Sequence, residues 1–146
     1  MKFRLILATD REEEIVVTAQ KRTPLIDRIE QLVSEENTPD SLAGYDETGI
    51  RMLAIPEIEA LYAEQGKTFA AYSDGKRYRV KKRLYELEAL LPEAFVRLNK
   101  SCLANRAKIV RYRARFSGAV DAEFRSGYSD YVSRRCFAEL KRRYDI

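Results

Sequence analysis

From residue 49 onward, short apolar runs alternate with turn-forming residues at Pro56, Gly66, Asp74-Gly75, Pro92, Ser117-Gly118 and Ser126-Gly127. Punctuation this dense leaves little room for long helices and favours short strands that reverse on one another. Residues 49–55 alternate in polarity and stop at Pro56, 58–64 form a second run, and 68–72 a third. Asp74-Gly75 is a strong hairpin signal, and the chain returns from it through Arg77-Tyr78-Arg79-Val80. Three more strands are expected over 108–115, 119–124 and 128–132. Leu84, Leu87, Leu90 and Leu91 make one short helix that ends at Pro92. Ser133 caps a last helix carrying Cys136, Phe137, Leu140 and Tyr144 on one face. The aromatics Tyr62, Phe69, Tyr72, Phe95, Phe116 and Phe124 fall on apolar strand faces and are expected in the core.

The beginning of the chain has a different pattern. Residues 2–8 and 13–19 are apolar, β-branched runs either side of an acidic turn, which predicts a small hairpin. Thr23-Pro24 pairs a capping hydroxyl with a proline at the first helical position, and Ile26, Ile29, Leu32 and Val33 recur behind it at helical spacing. Residues 1–37 therefore read as a ββα unit too short to bury its own apolar face. The Asn, Thr, Pro, Asp, Ser and Gly of residues 37–49 mark the boundary. The expected organisation is an amino-terminal segment over 1–45, a dimer or partner contact, and a mainly β domain with short helices over 46–146.

Composition narrows the function. The 146 residues contain no histidine and two cysteines, Cys102 and Cys136, without metal-ligand spacing. With the commonest general base absent and no nucleophile or metal cluster in view, the chain is not read as an enzyme, and neither metal nor cofactor is expected. The first residues offer too short an apolar stretch for a signal peptide, and no run approaches 18 residues, so a cytoplasmic protein with reduced cysteines is expected. The net charge of +4 conceals an asymmetry. Residues 1–60 hold 7 Lys/Arg against 13 Asp/Glu, and residues 61–146 hold 20 against 10. A basic second half fits a polyanion, nucleic acid first, or else a merely solvated surface.

The most specific stretch is Phe95-Val96-Arg97-Leu98-Asn99-Lys100-Ser101-Cys102-Leu103-Ala104-Asn105. It resembles the LytTR family's pattern of an aromatic, Arg-x-His-Arg-Ser, two or three apolar residues and Asn. Its surroundings match in order. Ile58-Glu59-Ala60-Leu61-Tyr62 resembles the family's opening strand, Asp74-Gly75-Lys76 its hairpin, residues 84–91 its leucine-rich helix, and Val132-Ser133-Arg134-Arg135 its near-terminal "VSRR". The departure is Asn99-Lys100 where many members have His-Arg, which bears on base preference. The resemblance implies about ten short strands in an elongated arrangement of small antiparallel sheets, and double-stranded DNA read by loops in successive major grooves. It implies paired direct repeats with one protomer on each, hence a bacterial transcription regulator acting as a homodimer. In the family such a domain often follows a receiver domain, as in response regulators. About 45 preceding residues are too few for one, so the chain resembles the stand-alone subclass, whose members are often encoded beside a membrane protein that restrains them.

Three loops offer the donors that such recognition needs. Lys67 and Thr68 follow the Gly66 turn, Asn99, Lys100 and Ser101 sit in the family-like segment, and Ser133, Arg134 and Arg135 open the last helix. Arg and Lys can donate to guanine O6 and N7, and Asn can pair with adenine. Hydroxyls of Thr68, Ser101 and Ser133 suit phosphate oxygens. The family's base-reading positions fall on Lys67, Lys100 and Arg135. Arginines at a helix start oppose the dipole unless an anion sits there. Arg97 reads as a structural ion-pair partner. The run Lys76-Arg77-Tyr78-Arg79-Val80-Lys81-Lys82-Arg83 reads as mostly solvated, and Arg111, Arg113 and Arg115 share one strand face that needs water or an anion. The competing readings are an RNA-binding module and a protein-interaction module working through the acidic first segment.

Overall fold

The computed structural model describes residues 1–146 apart from the side chain of Asn37. The chain divides into two units, residues 1–36 and 37–146. In the first unit one helix forms, α1 (Pro24–Asn37). The Thr23 hydroxyl accepts from the Ile26 N–H at 3.3 Å, and the Thr23 carbonyl accepts from Asp27, so the cap and the leading proline act as the sequence indicates. The hairpin expected over 2–19 is absent, because no strand forms before α1. Two short strands with no third strand or helix over them bury too little to hold together, and Leu5, Leu7 and Val16 are exposed.

The second unit begins earlier than residue 46. A strand β1 (Ser41–Asp46) pairs along its whole length with β2 (Gly49–Ala54), from Ser41↔Ala54 to Asp46↔Gly49. The stretch read as a linker is therefore part of a sheet. Ala, Gly and Asp are poor strand formers, which hides β1 in the sequence. Gly44 is nonetheless required there, since a Cβ at that position would lie 2.7 Å from Leu53 Cδ1 and 2.8 Å from Tyr78 Cβ. The turn is held by Asp46 Oδ1, which accepts from Thr48 N, Thr48 Oγ1 and Gly49 N at 2.7–3.0 Å. Those bonds, the Thr48 hydroxyl first, hold the Asp46 carboxyl below its usual range.

The remaining elements fall where the turn signals put them, except for a hairpin over 95–105 that no turn dipeptide marks. They are β3 (Ile58–Glu64), β4 (Lys67–Tyr72), β5 (Arg77–Val80), α2 (Leu84–Leu90), β6 (Phe95–Asn99), β7 (Cys102–Asn105), β8 (Ile109–Ala114), β9 (Val120–Phe124), β10 (Ser129–Val132) and α3 (Arg134–Arg143). The ten strands form two antiparallel sheets, one in the order β2-β1-β5-β4-β3-β7-β6 and one in the order β10-β9-β8. Alternation along the strands gives the larger sheet two apolar faces. Leu61, Ala70, Tyr72, Tyr78, Val80 and Leu103 pack with Leu84 and Leu87 of α2. On the other face Ala60, Ala71, Val96, Leu98 and Cys102 meet Ala122, Phe124 and Val132 of the smaller sheet and Leu140 of α3. Glu59, 2% exposed at a bulge of β3, accepts hydrogen bonds from the backbone and hydroxyl of Ser126, tying the β9–β10 turn to the larger sheet.

Among the expected core aromatics Tyr72, Phe95 and Phe124 are buried, and Tyr62 and Phe69 half-buried. Phe116 is not in the core. β8 ends at Ala114, so Phe116 falls in the β8–β9 turn and is fully exposed. No helix among the described residues is long and apolar enough to cross a membrane.

The tight approach at Gly44 generates a test. Gly44→Ala forces Leu53 and Tyr78 apart and should cost about 1–3 kcal/mol, read as a lower denaturant midpoint with unchanged slope. An unchanged midpoint would mean that β1 is not seated on the sheet as described.

Candidate nucleic-acid interface

Strand pairing brings residues distant in sequence to one end of the larger sheet. The β3–β4 turn, Gln65-Gly66, places Lys67 there, with Glu64↔Lys67 the last pair of the hairpin. Gln65 and Gly66 both have positive φ, 51° and 75°, which closes this turn in two residues. Beside it, β3 pairs with β7 through Tyr62↔Cys102, and the Ala63 N–H donates to the Ser101 carbonyl at 2.8 Å. The β6–β7 turn, Lys100-Ser101, is thus the lateral neighbour of the β3–β4 turn. On its other side the Ser133 N–H donates to the Leu98 carbonyl at 2.8 Å, which seats the start of α3 against the end of β6. Three loops far apart in the chain form one row.

The expected site residues do not all face outward. Lys67, Lys100, Ser101, Arg134 and Arg135 are exposed. Ser133 is half-buried, and its Oγ accepts from the Cys136 N–H at 3.2 Å, capping α3 while its own O–H remains able to donate. Thr68 is only 8% exposed and lies on the strand face shared with Ala70 and Tyr72, so its hydroxyl is turned to the α2 side. Asn99 is 3% exposed and already engaged. Its Nδ2 donates to Asp130 Oδ1 at 3.1 Å and to the Tyr131 carbonyl at 2.8 Å, and its Oδ1 accepts from the Ser101 N–H at 2.8 Å. The geometry makes Asn99 a lock between the β6–β7 turn and β10 and leaves Thr68 as strand packing. Neither presents its side chain to a ligand.

Several residues hold this arrangement without having been singled out in the sequence. Asp130 accepts from Asn99, from the Tyr131 N–H and, through Oδ2, from the Tyr128 hydroxyl at 2.9 Å. Tyr128 stacks on Tyr62 with ring centroids 5.1 Å apart, so the same residue braces both sheets. Burial pushes the Tyr128 hydroxyl and the Cys102 thiol well above their ordinary values, and both stay protonated. Cys102 and Cys136 are both free thiols. Arg97 fulfils its structural reading, donating to Glu88 at 2.7 Å and to the Lys100 carbonyl at 3.0 Å. No local signal marks Asp130 or Tyr128, because their role depends on which strands become neighbours.

The charges also sort by position. Lys67, Lys100, Arg134 and Arg135 take part in no ion pair among the described residues. On the smaller sheet, by contrast, Arg113 is bound to Glu123 and Arg115 to Asp121, so β9 supplies carboxylates to two of the three arginines expected to need an anion. The opposite end of the larger sheet carries the Asp46-Glu47 and Asp74 turns, with Arg51 held on Asp74 at 2.7 Å. The loop row thus carries four cations without a carboxylate partner among the described residues.

Comparison with known proteins identifies the family and the fold. Residues 48–145 match the sequence model of the LytTr DNA-binding domain. Two proteins named uncharacterized HTH-type transcriptional regulators, from Staphylococcus aureus strains NCTC 8325 and COL, are each 26% identical over all of this chain and 99% of their own length. A third from the bovine strain RF122 is 27% identical over the same extents. A solved LytTr DNA-binding domain of a putative methyl-accepting/DNA response regulator from Bacillus cereus superposes with a TM-score of 0.65 at 19% identity. It covers 71% of this chain and 95% of its own, and shares the fold.

The engaged state of Asn99 separates a lock from a reading residue. Asn99→Ala leaves the Ser101 N–H without its partner and removes the bonds to Asp130 and the Tyr131 carbonyl, and should lower folding stability by about 1–3 kcal/mol. Thermal and denaturant unfolding without any ligand measure it. Full stability in that variant would return Asn99 to the surface and to a ligand.

Proposed function

Because the chain belongs to the LytTr DNA-binding domain family, we propose that it regulates transcription by binding double-stranded DNA through the three-loop row. The observation that carries this reading is the alignment of Lys67, Lys100 and Arg134-Arg135 by two backbone hydrogen bonds, with no carboxylate paired to any of them. Lys67, Lys100 and Arg135 reach base edges in the major groove, where Lys and Arg donate to guanine O6 and N7. The Ser101 and Ser133 hydroxyls and the first-turn N–H groups of α3 take phosphate oxygens. Arginines at the positive end of α3, unfavourable alone, become favourable once a phosphate lies there.

The relatives' HTH label does not transfer as a mode of binding. A helix-turn-helix needs two helices joined by a turn of a few residues, and here five strands separate α1 from α2 and another five separate α2 from α3. Loops, not a recognition helix, do the reading. An RNA platform is disfavoured because Tyr62, Phe69, Phe124 and Tyr128 stack on one another between the sheets and offer no open row of rings to bases. The operator is a pair of direct repeats with one protomer on each, and the acidic residues 1–36 serve protein contacts.

Selection of bound duplexes from a random pool should return two copies of one short motif about 10–11 base pairs apart, or a multiple. Arg135→Ala should weaken operator binding by roughly 1–3 kcal/mol and relax a single base position. An equal loss on every sequence would make Arg135 a phosphate contact. No loss on any duplex would remove the α3 start from the interface.

A further inference from the structure

The cationic row does not stop at Lys67. β5 is the next strand beyond β4, and its register with β4 pairs Val80 with Thr68. The segment that leaves β5, Lys81-Lys82-Arg83, therefore emerges at the same end of the sheet as Lys67, one strand further from α3. All three residues are exposed, and none takes part in an ion pair among the described residues. The Lys81 ammonium itself lies over the Tyr45 ring, 4.7 Å from its centroid, a cation–π contact that holds this charge beside the row. Lys82 and Arg83 have no such contact, and the Arg83 side chain is not used to cap α2, which begins at the next residue. The other basic residue of this hairpin with a described partner, Arg77, points its charge at Glu64 and at the Phe69 ring instead.

We propose that Lys82 and Arg83, assisted by Lys81, form a further phosphate-binding site for duplex DNA at the outer end of the row, opposite Arg134-Arg135. The site rests on the DNA-binding reading above and extends it to a segment that the resemblance assigns no role. Strands in a sheet lie about 4.8 Å apart, so the four steps from β5 to β6 cover about 19 Å. Phosphates on one strand repeat at about 3.4 Å along the axis, and such a reach spans some five or six base steps. Base-reading residues in the middle, Lys67 and Lys100, are then flanked on both sides by backbone contacts. Such flanks fix the angle of the sheet end on the groove and carry no sequence information.

The test compares the full chain with the Lys82→Gln/Arg83→Gln variant on the selected operator and on a scrambled duplex, across salt. Neither side chain packs in the core, so an unchanged melting temperature is the control for folding. Losing two phosphate contacts should reduce the slope of log affinity against log salt by about 1.8, because each contact in B-form DNA contributes about 0.9. Between 50 and 200 mM salt the parent's advantage over the variant should therefore shrink about 12-fold. The selected base motif should remain the same, and the loss should be equal on operator and scrambled DNA. A parent that binds specifically with a steep slope, beside a variant with the same slope, overturns this site and spares the three-loop reading. A variant with a changed base motif also overturns it, since the segment would then be reading bases. A parent without specific duplex binding removes the reading on which the site rests.

Discussion

The pairing of β3 with β7 is the contact on which the rest of the site depends. It joins residues about forty apart in the chain, Tyr62 with Cys102 and Leu61 with Leu103, at the centre of the larger sheet. Hairpins β3–β4 and β6–β7 would each form locally without it. Only this register lays their turns side by side and lets the Ala63 N–H reach the Ser101 carbonyl. A slip of one residue would exchange the two apolar faces. Leu61 and Leu103 would then turn from α2 toward the smaller sheet, and Tyr62 would leave its stack on Tyr128. Burial of Leu61, Leu98 and Leu103 on opposite faces of neighbouring strands is what excludes that slip.

Around this pairing the structure spends its polar side chains on holding loops. Asn99, Asp130 and Tyr128 connect the β6–β7 turn to β10, and Arg97 connects the same turn to α2. The turn that carries Lys100 is therefore fastened on both faces of the sheet. A loop fastened in this way loses less conformational entropy when a ligand binds it. A polar side chain chemically suited to a ligand can thus serve to hold a loop instead.

That substitution of roles explains how far the sequence could be read. Turn dipeptides and short apolar runs located seven of the ten strands and every α-helix, since those signals are local, whereas no turn dipeptide marks the β6–β7 hairpin. β1 escaped because Ala43 and Gly44 weaken its strand character, and Gly44 is there for Leu53 and Tyr78, residues on other strands. The expected hairpin over 2–19 shows the opposite error, in which strand-like composition lacks a surface to bury against. At the site, exposure of Lys67, Lys100, Arg134 and Arg135 followed from their turn positions. Burial of Thr68 and Asn99 did not, because whether a polar side chain faces water or a neighbouring strand is decided by pairing across the sheet.

Charge placement closes the argument. Arg51, Arg77, Arg97, Arg113 and Arg115 each meet a carboxylate, so this unit does not lack acids to pair with. The cations of the loop row are left without them, and they crowd one end of one sheet. Exposed like charges within a Debye length, about 8 Å at physiological salt, repel one another, and two of these arginines also oppose the dipole of α3. Added salt screens such repulsion in the free protein. A polyanion relieves it by contact, and added salt weakens that contact by competing for the phosphates. Screening and competition therefore predict opposite effects of salt on the free protein and on a complex with a polyanion.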